Sequence, residues 1–93
     1  MKLRFSFDPV KNARNIEERG LSFAEAAEFD WSTAHIAEDT RHDYPERRYQ
    51  ALGFVNQHLH MLVFTPREEA IHIISFRRAN GRERNRYATQ TQP

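Results

Sequence analysis

The pattern of apolar and polar positions changes period several times along this chain, and each change marks a predicted element. Residues 3–7 alternate as a half-buried strand. Asp8 followed by Pro9 then predicts a helix N-terminus, because aspartate caps helices and proline suits their first position. Gly20 predicts the end of this helix in a left-handed cap.

A capping box formed by Ser22 and Glu25 predicts a second short helix. In both helices apolar residues recur at helical spacing and define a face for packing. These residues are Val10, Ala13 and Ile16 in the first helix, and Phe23, Ala26 and Ala27 in the second. The two helices are therefore predicted to cover one face of a sheet.

Strand-like runs dominate the rest of the chain. A short strand is predicted at residues 34–38, and after a polar loop three longer runs follow at 47–55, 58–65 and 70–77. Asn56-Gln57 and residues 66–69 connect the long runs. Connections this short predict an antiparallel meander.

A second cap-like pair, Asn80 with Glu83, predicts a final helix through about Tyr87. Residues 88–93 are expected to be frayed. Residues 1–93 thus predict a single α+β domain. It consists of a small antiparallel sheet with two N-terminal helices packed on one face and a short C-terminal helix.

The last two long strands present apolar residues on both faces. Strict alternation places Leu59, Met61, Val63, Ile71 and Ile73 on one face, and Leu62, Phe64, Ile74 and Phe76 on the other. Both faces need cover. The N-terminal helices can bury one face, and the other is left to the final helix, another chain or a substrate.

The composition excludes several kinds of protein. The chain of 93 residues has no cysteine, so disulfide frameworks and thiolate metal sites are excluded. No window has the apolar run of a signal peptide or a membrane span, so the expected location is the cytoplasm. His58, His60 and His72 lack a carboxylate at ligand spacing, and neither a metal site nor a cofactor is predicted.

Charge is distributed unevenly along a chain whose formal net charge is only +1. Residues 17–46 carry nine acidic side chains and two arginines, whereas residues 77–86 carry five arginines and one glutamate. Arg82 lies in the predicted first turn of the final helix, where the helix dipole disfavours a cation. Because the planar guanidinium matches phosphate bidentately, this segment predicts a phosphate-binding surface at a strand-to-helix junction.

The order of these elements, and specific residues within them, resembles the BrnT family of toxins from bacterial type II toxin–antitoxin pairs. The resemblance covers about residues 5–88. The matching positions are Phe5, Asp8, Lys11, Asn15, Gly20, Ser22, Phe23, Glu25, Ala26, Glu46, Arg47 and Gly53, and then the strongest stretch, Ile73, Ile74, Ser75, Arg77, Ala79, Glu83, Arg84 and Tyr87. The resemblance implies a fold similar to that of RelE-like ribonucleases.

The chain departs from the family pattern at three places. Glu18 and Arg19 stand where Lys-His is common, so no role for a histidine carries over. Pro45 stands where glycine is usual, and Phe76 where a small residue is usual. Both changes are of a kind that can narrow or fill a pocket, and whether the three departures reduce activity is left open by the sequence.

The resemblance implies metal-free RNA cleavage, in which the ribose 2′-hydroxyl attacks the adjacent phosphate. Such a reaction needs a base, an acid, and cations that stabilise the charge building on the phosphate oxygens. Arg47 and Arg77 are the candidates for that stabilisation, and Glu46 and His42 are alternative bases. Tyr87 is the candidate for proton donation or base stacking. The expected RNA-binding residues are Arg78, Arg82, Arg84 and Arg86.

A toxin of this kind implies a cognate antitoxin, in this family typically a ribbon-helix-helix DNA-binding protein. The pair usually represses its own operon, so operator DNA is expected as a partner of the complex only. The basic junction suits an acidic antitoxin segment as well as RNA. Two other classes stay open: a nucleic-acid-binding module without catalysis, and a protein-interaction module that uses the apolar sheet face.

Overall fold

The computed structural model describes residues 4–91, which form one five-stranded sheet, two α-helices and two short 3-10 helices. The strands are β1 (Arg4–Phe7), β2 (His35–Glu38), β3 (Tyr49–Val55), β4 (His58–Arg67) and β5 (Ala70–Arg78). The helices are α1 (Pro9–Arg19), α2 (Gly81–Thr91), and the 3-10 helices Phe23–Glu28 and Trp31–Thr33. Leu3 of the predicted first strand and residues 92 and 93 of the predicted tail lie outside the described residues.

The strands lie in the order β1-β5-β4-β3-β2. The three long strands form the predicted meander, and the turn at Asn56 and Gln57 has φ angles of 49° and 71°, as a two-residue hairpin requires. β1, however, pairs in parallel with β5. The α+β class is confirmed, but the prediction of an antiparallel sheet was wrong. No local turn connects β1 to β5, so local sequence does not set their relative direction.

The predicted ends of α1 are confirmed, whereas its predicted packing is wrong. The Asp8 carboxylate accepts a hydrogen bond from the Val10 amide at 2.9 Å, and Gly20 has a φ of 67°. Val10 and Ile16 are nevertheless 67% and 46% exposed, and α1 buries no residue. The side-chain amide of Asn15 instead donates to two backbone carbonyls, one of them in β5. Polar contacts therefore attach this helix to the sheet.

The second predicted helix exists, but as a 3-10 helix. Its capping box is present, with the Ser22 amide donating to Glu25 at 3.0 Å. Phe23 and Ala26 are buried as predicted, while Ala27 is exposed. A 3-10 helix has three residues per turn, so Ala26 aligns with Phe23 and the next residue turns outward.

A β-bulge in β5 reverses part of the predicted side-chain pattern. Val63 pairs with Ser75 while Phe64 pairs with Ile73, so Ile74 has no opposite residue in β4. Alternation is interrupted at that point. Ile71 and Ile73 therefore lie on the face that also carries Leu62 and Phe76, and Ile74 lies on the opposite face. The predicted faces of these three isoleucines were wrong.

Each face of the sheet therefore has its own apolar cluster. The core face packs against the 3-10 helices. The cluster between them contains Phe23 and Phe29 from the 3-10 segment, and Leu62, Phe64, Ile73 and Phe76 from the sheet. The α2 face carries Leu52, Leu59, Met61 and Val63, covered by Tyr87 of α2. Helix α2 runs to Thr91, four residues beyond the predicted end. Among residues 4–91, no helix combines the length and apolar character that crossing a bilayer requires.

Candidate active site

Helix α2 leaves part of the α2 face uncovered, and this part forms a cavity of about 420 Å³, here termed the sheet cavity. Its floor contains Met61, Val63 and Ile74. Its charged lining consists of the arginines Arg41, Arg48, Arg77 and Arg86 and the carboxylates Asp39 and Glu83. Four guanidinium groups thus surround one apolar floor.

Strand geometry brings two of these arginines together from distant parts of the chain. Every second residue of a strand points to the same face. Arg48 therefore shares the α2 face with Gln50 at the start of β3, and Arg77 shares it with Ser75 at the end of β5. Because β4 lies between β3 and β5, the two arginines face the cavity from opposite sides.

Arg77 is held in a fixed position by Glu83. Its two terminal nitrogens donate to the two carboxylate oxygens at 2.8 and 2.9 Å. The same carboxylate accepts the Asn80 amide at 2.9 Å, while the Asn80 side chain caps the Glu83 amide. The predicted cap pair is confirmed. The ion pair raises the pKa of Arg77 and lowers the pKa of Glu83, so both groups stay charged.

Arg41 is oriented in the same way by Asp39. The carboxylate is buried, and the guanidinium binds both of its oxygens at 2.8 Å. The hydrogen bonds from Arg41 outweigh the effect of burial and hold the pKa of Asp39 at about 2. Both carboxylates of the sheet cavity are therefore ionised and bound to arginine, which makes them poor general bases.

Arg48 and Arg86 form no ion pair within residues 4–91. The guanidinium of Arg48 lies over the ring of Tyr44, with 4.1 Å between its central carbon and the ring centroid. This contact orients the guanidinium without neutralising it. The positive charges of these two arginines are therefore available to an anion.

A second cavity, here termed the loop cavity, adjoins the first. It has a volume of about 540 Å³, is lined by residues 38–48, and shares Asp39, Arg41 and Arg48 with the sheet cavity. Arg47 lines the loop cavity but not the sheet cavity. The structure thus brings Arg48, not Arg47, to Arg77. The shared face of Arg48, Gln50 and Leu52 was the sequence signal for this placement.

The predicted acid–base residues lie outside the sheet cavity. Glu46 lines the loop cavity and pairs with Arg67 at 2.9 and 3.1 Å, which lowers the pKa of Glu46. His42 lines the same cavity, its ring edge-on to Tyr44. Tyr87 is buried as a residue, and its hydroxyl donates to the Thr33 carbonyl at 2.8 Å. The hydrogen bond and the packing of its ring connect α2 to the 3-10 helix Trp31–Thr33 and to the sheet.

The predicted RNA-binding arginines are dispersed. Arg86 lines the sheet cavity, whereas the Arg84 side chain donates to the Ala79 carbonyl at 2.9 Å. Arg82 is exposed on α2. Arg78, next to Arg77, faces a different cavity near the β3–β4 turn.

The departures from the family pattern do not fill the sheet cavity. Phe76 is fully buried on the core face, and Pro45 lines the loop cavity. In the described part of the chain, no group of three or more histidine, cysteine, aspartate or glutamate side chains is arranged to hold a metal ion.

A family model described as the ribonuclease toxin BrnT of type II toxin–antitoxin systems matches residues 7–83. The chain belongs to the BrnT family. No curated protein matches it. BrnT-family membership makes the chain a ribonuclease toxin of a type II toxin–antitoxin pair, with RNA as substrate and a cognate antitoxin. The matched segment includes Arg41, Arg48, Arg77 and Glu83 and ends before Arg86.

Proposed function

We propose that this BrnT-family chain cleaves RNA in the sheet cavity. A ribose 2′-hydroxyl attacks the adjacent phosphorus while the bond from phosphorus to the 5′-oxygen of the next nucleotide breaks, which leaves a 2′,3′-cyclic phosphate and a 5′-hydroxyl protonated by water. The observation that carries this proposal is the convergence of four guanidinium groups on one cavity. Arg77 and Arg41 are preorganised by their carboxylates, and groups fixed in advance stabilise transition-state charge most effectively. Arg48 takes the phosphate-stabilising role that the sequence indicated for Arg47.

His42 is the general base that we propose. The carboxylates of Asp39, Glu46 and Glu83 are each bound to an arginine and have lowered pKa values. His42 lies in the loop cavity, which opens beside Arg41 and Arg48. In this proposal the ribose is bound with its 2′-hydroxyl on the side of the loop cavity.

The reaction is metal-independent in this proposal, because the cavity carboxylates are committed to arginine and the guanidinium groups supply the positive charge that a metal supplies elsewhere. We further propose that the fold is RelE-like and that the protein acts in the cytoplasm. The open cationic face of a small sheet supports the first of these points. The proposed action in the cytoplasm is supported by the RNA substrate of the family, because bacterial RNA is located there.

The test is cleavage of a single-stranded RNA by purified Arg48→Ala and Arg77→Ala variants. Each is expected to lower kcat by about 100-fold or more, the typical cost of removing one group that stabilises developing charge. Cleavage by the unaltered protein should persist in EDTA and leave a 2′,3′-cyclic phosphate. A 2′-deoxy nucleotide at the cleaved position should block it.

Arg82 and Arg47 provide control variants for Arg77 and Arg48. Arg82 is exposed and lines none of the three cavities described, so Arg82→Ala should retain full activity. Arg47→Ala should affect kcat less than Arg48→Ala, although the two residues are adjacent. Equal losses for Arg47 and Arg48, or full activity of Arg77→Ala with an intact circular dichroism spectrum, would refute this assignment of the site.

The antitoxin is proposed to be a ribbon-helix-helix protein that neutralises the toxin by placing an acidic segment in the sheet cavity. Arg48 and Arg86 line this cavity and form no ion pair with another described residue, and their positive charges support this placement. Operator DNA then binds through the antitoxin. RNA and antitoxin should compete, so a fluorescent RNA should be displaced by the antitoxin. Simultaneous binding without mutual weakening contradicts a shared surface.

A further inference from the structure

A third cavity lies on the opposite face of the sheet from the sheet cavity, beside the β3–β4 turn, and none of its lining residues belongs to the sheet cavity or the loop cavity. It has a volume of about 480 Å³, within the range of sites that hold small ligands. We term it the hairpin cavity. Its ionisable lining residues are Arg19, Glu25, His58, His60 and Arg78.

His60 supplies a fixed hydrogen-bond acceptor in this cavity. The residue is 3% exposed, its ring stacks on Phe76, and its Nδ1 is 2.7 Å from the His58 carbonyl oxygen. A carbonyl only accepts, so Nδ1 carries the proton of the neutral ring and Nε2 has a bare lone pair. Burial lowers the pKa of His60, which keeps the ring neutral. Nε2 has no hydrogen-bond partner among residues 4–91.

Arg19 and Arg78 supply positive charge and donors. Neither side chain forms an ion pair within the part of the chain that the structure describes. Glu25 has one oxygen committed to the Ser22 amide, and its second oxygen makes no hydrogen bond there. The hairpin cavity thus combines two guanidinium groups with two acceptors, the His60 nitrogen and the Glu25 carboxylate.

This combination selects among anionic ligands. An acidic peptide segment presents carboxylates to the arginines, and it has only its backbone N–H groups to offer the two acceptors. A nucleotide carries a phosphate for the arginines and, on its base, amino or imino N–H donors for His60 and Glu25. A nucleotide satisfies both kinds of group with its two parts, the phosphate and the base edge, and it is the ligand that this lining favours.

We propose that the hairpin cavity is a second RNA subsite, which holds one nucleotide of the substrate outside the sheet cavity. This rests on the proposed RNA cleavage. Arg77 and Arg78 are consecutive in β5, so their side chains point to opposite faces of the strand. Their Cα atoms are about 3.8 Å apart. An RNA chain that passes the end of β5 therefore reaches the sheet cavity through Arg77 and the hairpin cavity through Arg78.

The first test compares Arg19→Ala and Arg78→Ala with Arg14→Ala, an exposed arginine of α1 that lines none of the three cavities. For a long single-stranded RNA, each cavity variant should raise KM about tenfold, as expected for a lost charged hydrogen bond, with kcat unchanged. The slope of log KM against log salt should fall by about 0.7 per lost phosphate contact. A dinucleotide substrate that occupies only the sheet cavity should be cleaved equally by all variants.

The second test does not depend on cleavage. Adenosine 5′-monophosphate at millimolar concentration should shift the imidazole NMR signals of His60 in the unaltered protein and not in Arg78→Ala. Inorganic phosphate should shift the imidazole signals of His58 more than those of His60, because phosphate has no nucleobase to donate a hydrogen bond to His60. If adenosine monophosphate moves His60 while no RNA is cleaved, the subsite stands and the proposed activity fails.

The opposite outcomes overturn the subsite. If RNA is cleaved but adenosine monophosphate leaves His60 unmoved, and Arg78→Ala has the KM and salt slope of Arg14→Ala, the cavity does not hold substrate. A glutamate-rich peptide that shifts His60 when adenosine monophosphate does not would assign the cavity to a protein partner instead, which also contradicts the proposal.

Discussion

The ion pair between Arg77 and Glu83 is expected to stabilise the fold as well as the site. In the Glu83→Ala variant, Arg77 loses two hydrogen bonds and the Asn80 amide loses one. The side chains of Arg77 and Glu83 are 29% and 11% exposed. The stability lost on breaking their ion pair should therefore lie between the roughly 1 kcal/mol of exposed pairs and the roughly 3–5 kcal/mol of buried ones. We take about 2 kcal/mol for the pair and about 1 kcal/mol for the lost cap.

The free energy of unfolding should therefore fall by about 3 kcal/mol, which lowers the midpoint of thermal unfolding of a domain this size by at least about 12 °C. Circular dichroism at neutral pH measures this change. A double-mutant cycle with Arg77→Ala should give a coupling energy of about 2 kcal/mol. Glu17→Ala, on the exposed side of α1, is the control and should stay within about 0.5 kcal/mol. A coupling energy near zero refutes the reasoning.

Three further changes test other parts of the structure. Asp39 should stabilise the fold fully above pH 3.8, its ordinary pKa, and lose this contribution as the pH falls towards 2, so urea unfolding of Asp39→Asn at stepped pH should lack that part of the acid transition. Gly53→Ala places a methyl carbon 2.4 Å from the ring of Phe29 and should cost about 1–3 kcal/mol in urea unfolding, whereas Gly81→Ala, with 3.7 Å of clearance, should not show an overpacking loss. Tyr87→Phe should lose about 1 kcal/mol of stability with its hydrogen bond, yet retain RNA cleavage; a tenfold or greater loss of kcat would instead make its hydroxyl catalytic.

Both ends of α1 and the start of α2 were predictable because their causes are local, whereas α2 ends four residues beyond the prediction. Asp8 and Gly20 define α1 through contacts within a few residues, and Asn80 with Glu83 does the same for α2. The direction of β1 and the bulge at Ile74 depend on pairing between strands that are distant in sequence. No local pattern encodes such pairing, so prediction failed for both.

The candidate site divides in the same way. Arg77 was predicted from the arginine-rich segment, whereas Glu83 was predicted only as part of the helix cap and as a position matching the family. Asp39 and Arg41 were missed because they lie in a loop, where no period indicates which side chains converge. Arg47 was predicted from the sequence, whereas the residue that lines the sheet cavity is the next one, Arg48. Its alternation with Gln50 was visible within the predicted run 47–55, but local sequence did not show which face of this strand would carry the cavity.

That one-residue difference links site assembly to strand register. Arg47 and Arg48 precede β3, and Arg77 and Arg78 end β5. Since consecutive side chains alternate between faces, only one arginine of each pair reaches the sheet cavity. A shift of either strand by one residue would replace it with its neighbour and move apolar side chains into solvent. The tight turn at Asn56-Gln57 fixes the register of β3 against β4, and so it also determines which guanidinium groups converge.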